Sequence, residues 1–169
     1  RPLRGRVVQG IGEANAAVCV RGGQTGAVGV DCRAAPIYCA QQAERLMTKG
    51  VVQALFGCWT SACRKAVKSG VGKHNHLLFY ALKYEGMEQS DEERQSPNIL
   101  YGGAVPNQLV MPAVHWALSN LGKKGDRNKR GRRIYLAGSD DVYSRVVHIP
   151  IKDFLAAHNA EVVGERYPP

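Results

Sequence analysis

The sequence has no apolar run approaching the ~20 residues that a membrane-spanning helix needs. It has no CxxC pair and no histidine at zinc-finger spacing, which argues against a metal site. No GxGxxG follows a strand candidate to open a helix, so a dinucleotide site lacks its phosphate-binding turn. No GxSxG elbow occurs, and no histidine carries a local signature tying it to Ser61 or Cys63, so hydrolytic chemistry has no support. His74 and His76 precede a strand candidate, while His115, His148 and His158 fall on helix candidates; all five read as satisfied or solvated. Acid is the scarcer charge: 14 Asp and Glu stand against 23 Lys and Arg, a net +9. The excess is local. Gly122 to Arg133, "GKKGDRNKRGRR", holds seven Lys or Arg against a single Asp. It is Gly-rich and has no interleaved aromatic, as a solvated insertion does and a phosphate-binding groove does not, which argues against a nucleic-acid partner.

What is present supports a folded core. Of 169 residues 44% are apolar, enough for one domain or a lobe and a half of something larger. The chain starts at Arg1, and nothing near it reads as a signal peptide. It reads as an excerpt, so the missing targeting signal says nothing about compartment. There are five cysteines, Cys19, Cys32, Cys39, Cys58 and Cys63, and this odd count does not fix the redox environment. Cys58 and Cys63 straddle an expected strand-to-helix turn, and whether they pair stays open.

Strand and helix candidates alternate. Gly26 to Val30 is a weak, Gly-rich strand candidate. Ile37 to Lys49 has Ile37, Ala40, Ala43 and Met47 at helical spacing, and Gly50 closes it. Val51 to Phe56 reads as a strand, Ser61 to Val71 as a short helix, His76 to Tyr80 and Asn98 to Tyr101 as strands. A helix is expected from about Gln108 to Leu121, with Val110, Val114, Ala117 and Leu118 on one face. "RIYLAGS" reads as a strand, Val147 to His158 as a helix, and "AEVVGERY" as a final strand. Such alternation implies βαβ units around a mostly parallel, Rossmann-like sheet, an α/β fold. Two polar stretches, Ser90 to Ser96 and the basic run, interrupt it between elements.

In an open parallel sheet, ligands bind outside the carboxyl ends of the strands. The first such end is "FGCWTSACRKAV", which delivers Thr60 and Ser61 to the first turn of a helix, where backbone N–H groups lack partners. Those donors can hold a carbonyl oxygen or a carboxylate, with Trp59 as a flat wall. Equally, Thr60 or Ser61 can simply cap the helix while Trp59 packs in a core. Arg64 and Lys65 are expected on the solvated helix surface. The next strand ends carry Tyr80 and Tyr84, then Ser139, Asp140, Asp141 and Tyr143. Three strand ends with hydroxyls and aromatics point to a small polar ligand held between rings.

"FGCWTSACRKAV", "LLFYALKYEGMEQ…SPNILYGGAVPNQ…PAVHW" and "YLAGSDDVYSR…IKDFLAAHNAEVVGERY", in that order, resemble the type 1 periplasmic binding proteins for urea and short-chain amides. Those are solute-binding subunits of ABC transporters, with related amide sensors. The resemblance runs from about Asn15 to Tyr167, broken by the two polar insertions. It implies a two-lobed clamshell: lobe 1 over residues 1–104, its first strand missing or degenerate, and a partial lobe 2 over 105–169. A hinge falls near Gly102 to Pro106. Carried over by motif, the ligand contacts are Trp59, Thr60, Ser61, Tyr80, Leu82 and Tyr84 from the first lobe, with Asp141 and Tyr143 from the second. Ser61 and nearby amides would take the ligand carbonyl, and Tyr80 and Tyr143 would flank the amide. The chain departs from the pattern at Ala81, Cys63, Lys83, Asp141 and Ser144. Asp141, where the family has a ring, disfavours an apolar or anionic ligand and favours an amino-bearing one.

The expected function is thus non-enzymatic binding of urea, a short-chain amide or a similar small polar molecule, with cleft closure as the output and no cofactor. The partner would be a membrane permease, on the periplasmic or extracellular face. The alternatives are a sensing ectodomain fused to a transmembrane or signalling domain, and a degenerate fragment that binds nothing.

Overall fold

The computed structural model describes residues 2–17, 23–33, 35–49, 52–82, 84–86, 96–121 and 132–168. Cys19, Gly50, Val51, Lys83, Pro169, residues 90–95 of the acidic stretch and 122–131 of the basic one lie outside the described residues. Among the described residues five helices and five strands follow in the order α1 (Pro2–Ala17), α2 (Pro36–Lys49), β1 (Ala54–Phe56), α3 (Ser61–Lys73), β2 (Leu77–Tyr80), β3 (Ile99–Tyr101), α4 (Pro106–Asn120), β4 (Arg133–Ala137), α5 (Val142–Ala157) and β5 (Glu161–Arg166). Two parallel sheets result, β1-β2-β3 and β4-β5. The connections through α3 and α5 each return the chain to a neighbouring parallel strand, as a βαβ unit must, whereas α4 leads from the first sheet to the second. Among the described residues no helix is long and apolar enough to cross a membrane.

Register explains the first core. Leu55, Leu78 and Ile99 stand in one row across β1-β2-β3, and Tyr80 faces Tyr101 two residues on. Side chains alternate along a strand, so all five point to one face. Leu55, Leu78, Ile99 and Tyr80 are buried there with Cys39, Ala43 and Met47 of α2 and Cys63, Val67 and Val71 of α3. The opposite face carries Phe56, Leu77 and Leu100, all exposed, with the Phe56 and Phe79 rings 5.4 Å apart. A second cluster, Leu136, Val147, Ile151 and Leu155, fills the space between α5 and the β4-β5 sheet, with Val110, Val114 and Leu118 of α4 packed on it.

Three expectations are corrected here. Gly26 to Val30 forms no strand; its residues are exposed, Val28 and Val30 included, so no packing holds them in a sheet. Helix α2 turns Cys39, Ala43 and Met47 inward, one residue every four, so Ile37 is 76% exposed and Ala40 only half-buried. Helix α5 begins at Val142, not Val147, because Asp141 caps it. Helix α1 has three glycines, Gly5, Gly10 and Gly12, and no apolar stripe to announce it.

Candidate functional site

The turn after β1 is built by its own side chains. Cys58 sits in the left-handed region at φ 63°, which swings the chain toward α3. Thr60 is extended, and its Oγ1 accepts the Cys63 N–H at 3.1 Å, so the residue is a helix cap. Replacing Thr60 with Ala should cost about 1 kcal/mol of stability through this bond, read as a lower guanidinium chloride midpoint at unchanged slope.

Ser61, the first helical residue, is buried. Its hydroxyl donates to Glu85 Oε2 at 2.6 Å, and a side-chain hydrogen bond joins it to Tyr80. One turn on, Arg64 is 0% exposed, which overturns its placement on the solvated surface. Its Nη2 and Nη1 donate to Glu85 Oε1 and Oε2 at 2.7 and 3.2 Å, a two-pronged ion pair. The rings of Tyr84, Tyr80 and Tyr101 surround the guanidinium with centroids 5.0, 5.2 and 5.6 Å away, within cation–π range. Burial works against both charges, but their mutual hydrogen bonds win: the Glu85 carboxyl is held below, and the Arg64 guanidinium above, its ordinary value. Burial likewise pushes the Tyr80 phenol up. The spacing held a signal for this. Arg64 lies three residues before Val67 and seven before Val71, on the apolar face of α3.

The second sheet offers a matching turn. Asp141 is extended, and its Oδ1 accepts the Ser144 N–H at 2.7 Å, capping α5. Asp140 Oδ1 takes Arg145 Nε and Nη2 at 2.8 and 2.7 Å, while the same guanidinium lies 4.4 Å from the centre of the Tyr167 ring. Gly138 allows this turn to sit close: a Cβ there would come within 2.7 Å of Ser144 Cβ. Tyr143 is half-buried, and burial first, then the charges of Glu85 and Asp141, push its phenol up.

The two turns open onto one cavity of about 340 Å³, lined by Thr60 and Ala62 of the first, Asp140, Asp141, Val142 and Arg145 of the second, and Pro36 at the start of α2. Three helices therefore begin at this space. Of the residues expected at a ligand site, Thr60 and Asp141 line it. Trp59 is 69% exposed and is not among the residues that line it. Ser61, Tyr80 and Tyr84 are gathered behind it around Arg64 and Glu85, whereas Leu82 is half-buried at the edge of the first core. Arg64, Glu85, Tyr101 and Arg145 were not foreseen. Among the described residues no group of three or more His, Cys, Asp or Glu is placed to hold a metal ion.

The whole chain, residues 1–169, matches the family described as periplasmic binding protein domain. The chain belongs to that family. Solved structures place this periplasmic binding protein domain in the type 1 fold. One is a solute-binding protein of an ABC transporter from R. palustris in complex with 4-hydroxybenzoate, with a TM-score of 0.74 at 19% identity, covering 94% of this chain and 39% of that one. Another is the branched-chain amino acid transporter substrate-binding protein LivJ from Streptococcus pneumoniae with isoleucine, with a TM-score of 0.66 at 18% identity over 92% of this chain and 40% of that one. A third, from Desulfitobacterium hafniense with leucine, gives 0.69 at 12% over 94% and 44%. The chain spans well under half the length of each of these binding proteins.

Proposed function

We propose that this periplasmic binding protein domain contributes one wall and part of the facing wall of a solute cleft, and that its ligand is a small polar molecule with a carbonyl or carboxyl oxygen at one end and N–H groups at the other. Urea and short-chain amides are the smallest such solutes. In this reading residues 1–104 form the first lobe and 105–169 the start of the second, with the crossing near Gly102 to Pro106. Each sheet lies wholly on one side of that crossing, and each has its own core cluster. The observation that carries the reading is the cavity shared by the starts of α3 and α5. The Ser61 and Ala62 amides at the start of α3, which have no intrahelical acceptor, lie beside a neutral Thr60 cap and suit an acceptor oxygen. Asp140 and Asp141 across the gap suit N–H donors.

Ser61 and Tyr80 then act by bracing the α3 start from behind, through Glu85, and Trp59 and Tyr143 close the sides. Ligand contacts to both walls favour the closed state, which a membrane permease on the periplasmic or extracellular face reads. The three binding proteins described above hold isoleucine, leucine and 4-hydroxybenzoate. The first two share the oxygen-plus-nitrogen pattern, and all three exceed urea in size.

Thermal shift of the protein with urea, acetamide, glycinamide, leucine and 4-hydroxybenzoate tests this. A bound solute at a hundred times its dissociation constant should add about 2.7 kcal/mol of stability. Glycinamide should outrank acetamide. Asp141→Asn, which keeps a capping oxygen, should weaken glycinamide about tenfold or more, the worth of one charge-assisted hydrogen bond. No shift with any solute, or shifts untouched by Asp141→Asn and Thr60→Val, would sink the reading and leave a domain that has lost binding.

A further inference from the structure

The Cys58 and Cys63 sulfurs lie 2.7 Å apart across the turn that presents Thr60 and Ala62 to the cavity. Cys58 is half-buried at the outer end of this pair, and Cys63 is buried in the first turn of α3. Behind Cys63 stand Cys39 of α2 and Cys32, joined to it by side-chain hydrogen bonds, so four sulfurs gather at one corner of the first core. We propose that Cys58 and Cys63 are a redox pair, oxidised to a disulfide by exchange with a thiol-oxidising disulfide that reaches the turn from solvent.

The roles follow from access. The Cys58 thiolate attacks one sulfur of the incoming disulfide, and the first thiolate leaves and takes up a proton. Cys63 gives up its proton and attacks the Cys58 sulfur of the mixed disulfide, expelling the second thiol. Two electrons pass from the cysteine pair to the oxidant, and one disulfide becomes two thiols. Hydrogen bonding to Cys58, and then burial, keep the Cys63 thiol protonated until that second step, which suits a resolving cysteine. Burial raises Cys32 to about 12 and Cys39 to about 11, so both are poor first attackers. Closure needs the sulfurs to approach to about 2.05 Å. The resulting ring holds Trp59 to Ala62, so the oxidation state sets how firmly the cavity-facing turn is fixed.

Trypsin gives a direct test on the full chain. Cleavage after Lys49 and Arg64 releases one peptide holding both cysteines, while Cys32 and Cys39 fall on separate peptides. Reduced protein is incubated with oxidised glutathione under anaerobic conditions, alkylated and digested. The peptide ending at Arg64 should lose two hydrogens and stop alkylating, with Cys32 and Cys39 still fully alkylated. Reduction should reverse the change. In Cys63→Ser, Cys58 should accumulate as the glutathione adduct, at least tenfold above the parent. The proposal fails if both thiols of that peptide stay alkylatable, or if the first bond formed joins Cys63 to Cys39 or to Cys32.

Discussion

Glu85→Ala is expected to lower the free energy of unfolding by about 3–5 kcal/mol, because it leaves the Arg64 guanidinium in a dry pocket without its carboxylate. Arg64 is fully buried and meets Glu85 through two hydrogen bonds, so solvent screening gives no relief. Three tyrosine rings offer the cation a partial substitute. A guanidinium chloride titration reads the loss as a lower midpoint at unchanged slope. Replacing both partners, Arg64→Met with Glu85→Leu, should come back toward the parent, since the cost lies in the stranded charge more than in the pair. A loss under 1 kcal/mol in the single variant would mean that water reaches the guanidinium.

The same pair shapes the acid limb. Glu85 is held below its ordinary value when folded, so its contribution is complete above the unfolded value of about 4.3 and is lost as pH falls through the lowered native value. Glu165 adds to this limb. Hydrogen bonds from Tyr167, Lys152 and His148 lower its carboxyl to about 2. Melting followed from pH 5 to pH 2 should therefore fall less steeply in Glu85→Ala, with the Glu165 part remaining.

Leu155→Ala should cost about 2–5 kcal/mol, the range for a fully buried leucine reduced to a methyl group. Leu155 is 0% exposed at the centre of the cluster under α5, with Leu136, Val147 and Ile151. None of these residues belongs to the cluster of the other sheet, where Leu78 holds the corresponding place. The damage should thus be local. Hydrogen exchange should quicken in β4, β5 and α5 and leave β1-β2-β3 nearly unchanged, with Leu78→Ala giving the converse. Uniform quickening in both would show that the two sheets unfold as one body.

Much of this fold is legible in the sequence because βαβ alternation prints itself twice, as short apolar runs and as helical spacing. β1, β2 and β3 come from three such runs, and their ends fall side by side as a parallel sheet requires. Boundaries yielded less. Asp141 reads as a ligand group from its neighbours alone, yet its carboxylate also starts α5, five residues before the apolar spacing becomes visible. Ile37 looks like core until Cys39 is counted as an apolar residue, which moves the buried stripe round by two positions. The site split along the same line. Thr60 and Asp141 are local features, set by a turn and a cap, and both reach the cavity. Ser61, Tyr80 and Tyr84 turn inward because of a partner 24 residues along the chain from Ser61, and no short-range pattern discloses that Glu85 and Arg64 meet.

The Phe56 side of the three-stranded sheet has a colloidal consequence. Phe56, Leu77 and Leu100 form a wet hydrocarbon strip on strands of a kind that folded proteins ordinarily sandwich. Two copies of the chain would gain by pressing these strips together, and their shared charge of +9 resists that approach. Added electrolyte shortens the reach of this repulsion from about 10 Å at 0.1 M to about 3 Å at 1 M. Brine should therefore turn a dispersed preparation cloudy, and a lysine placed at Phe56 should keep it clear.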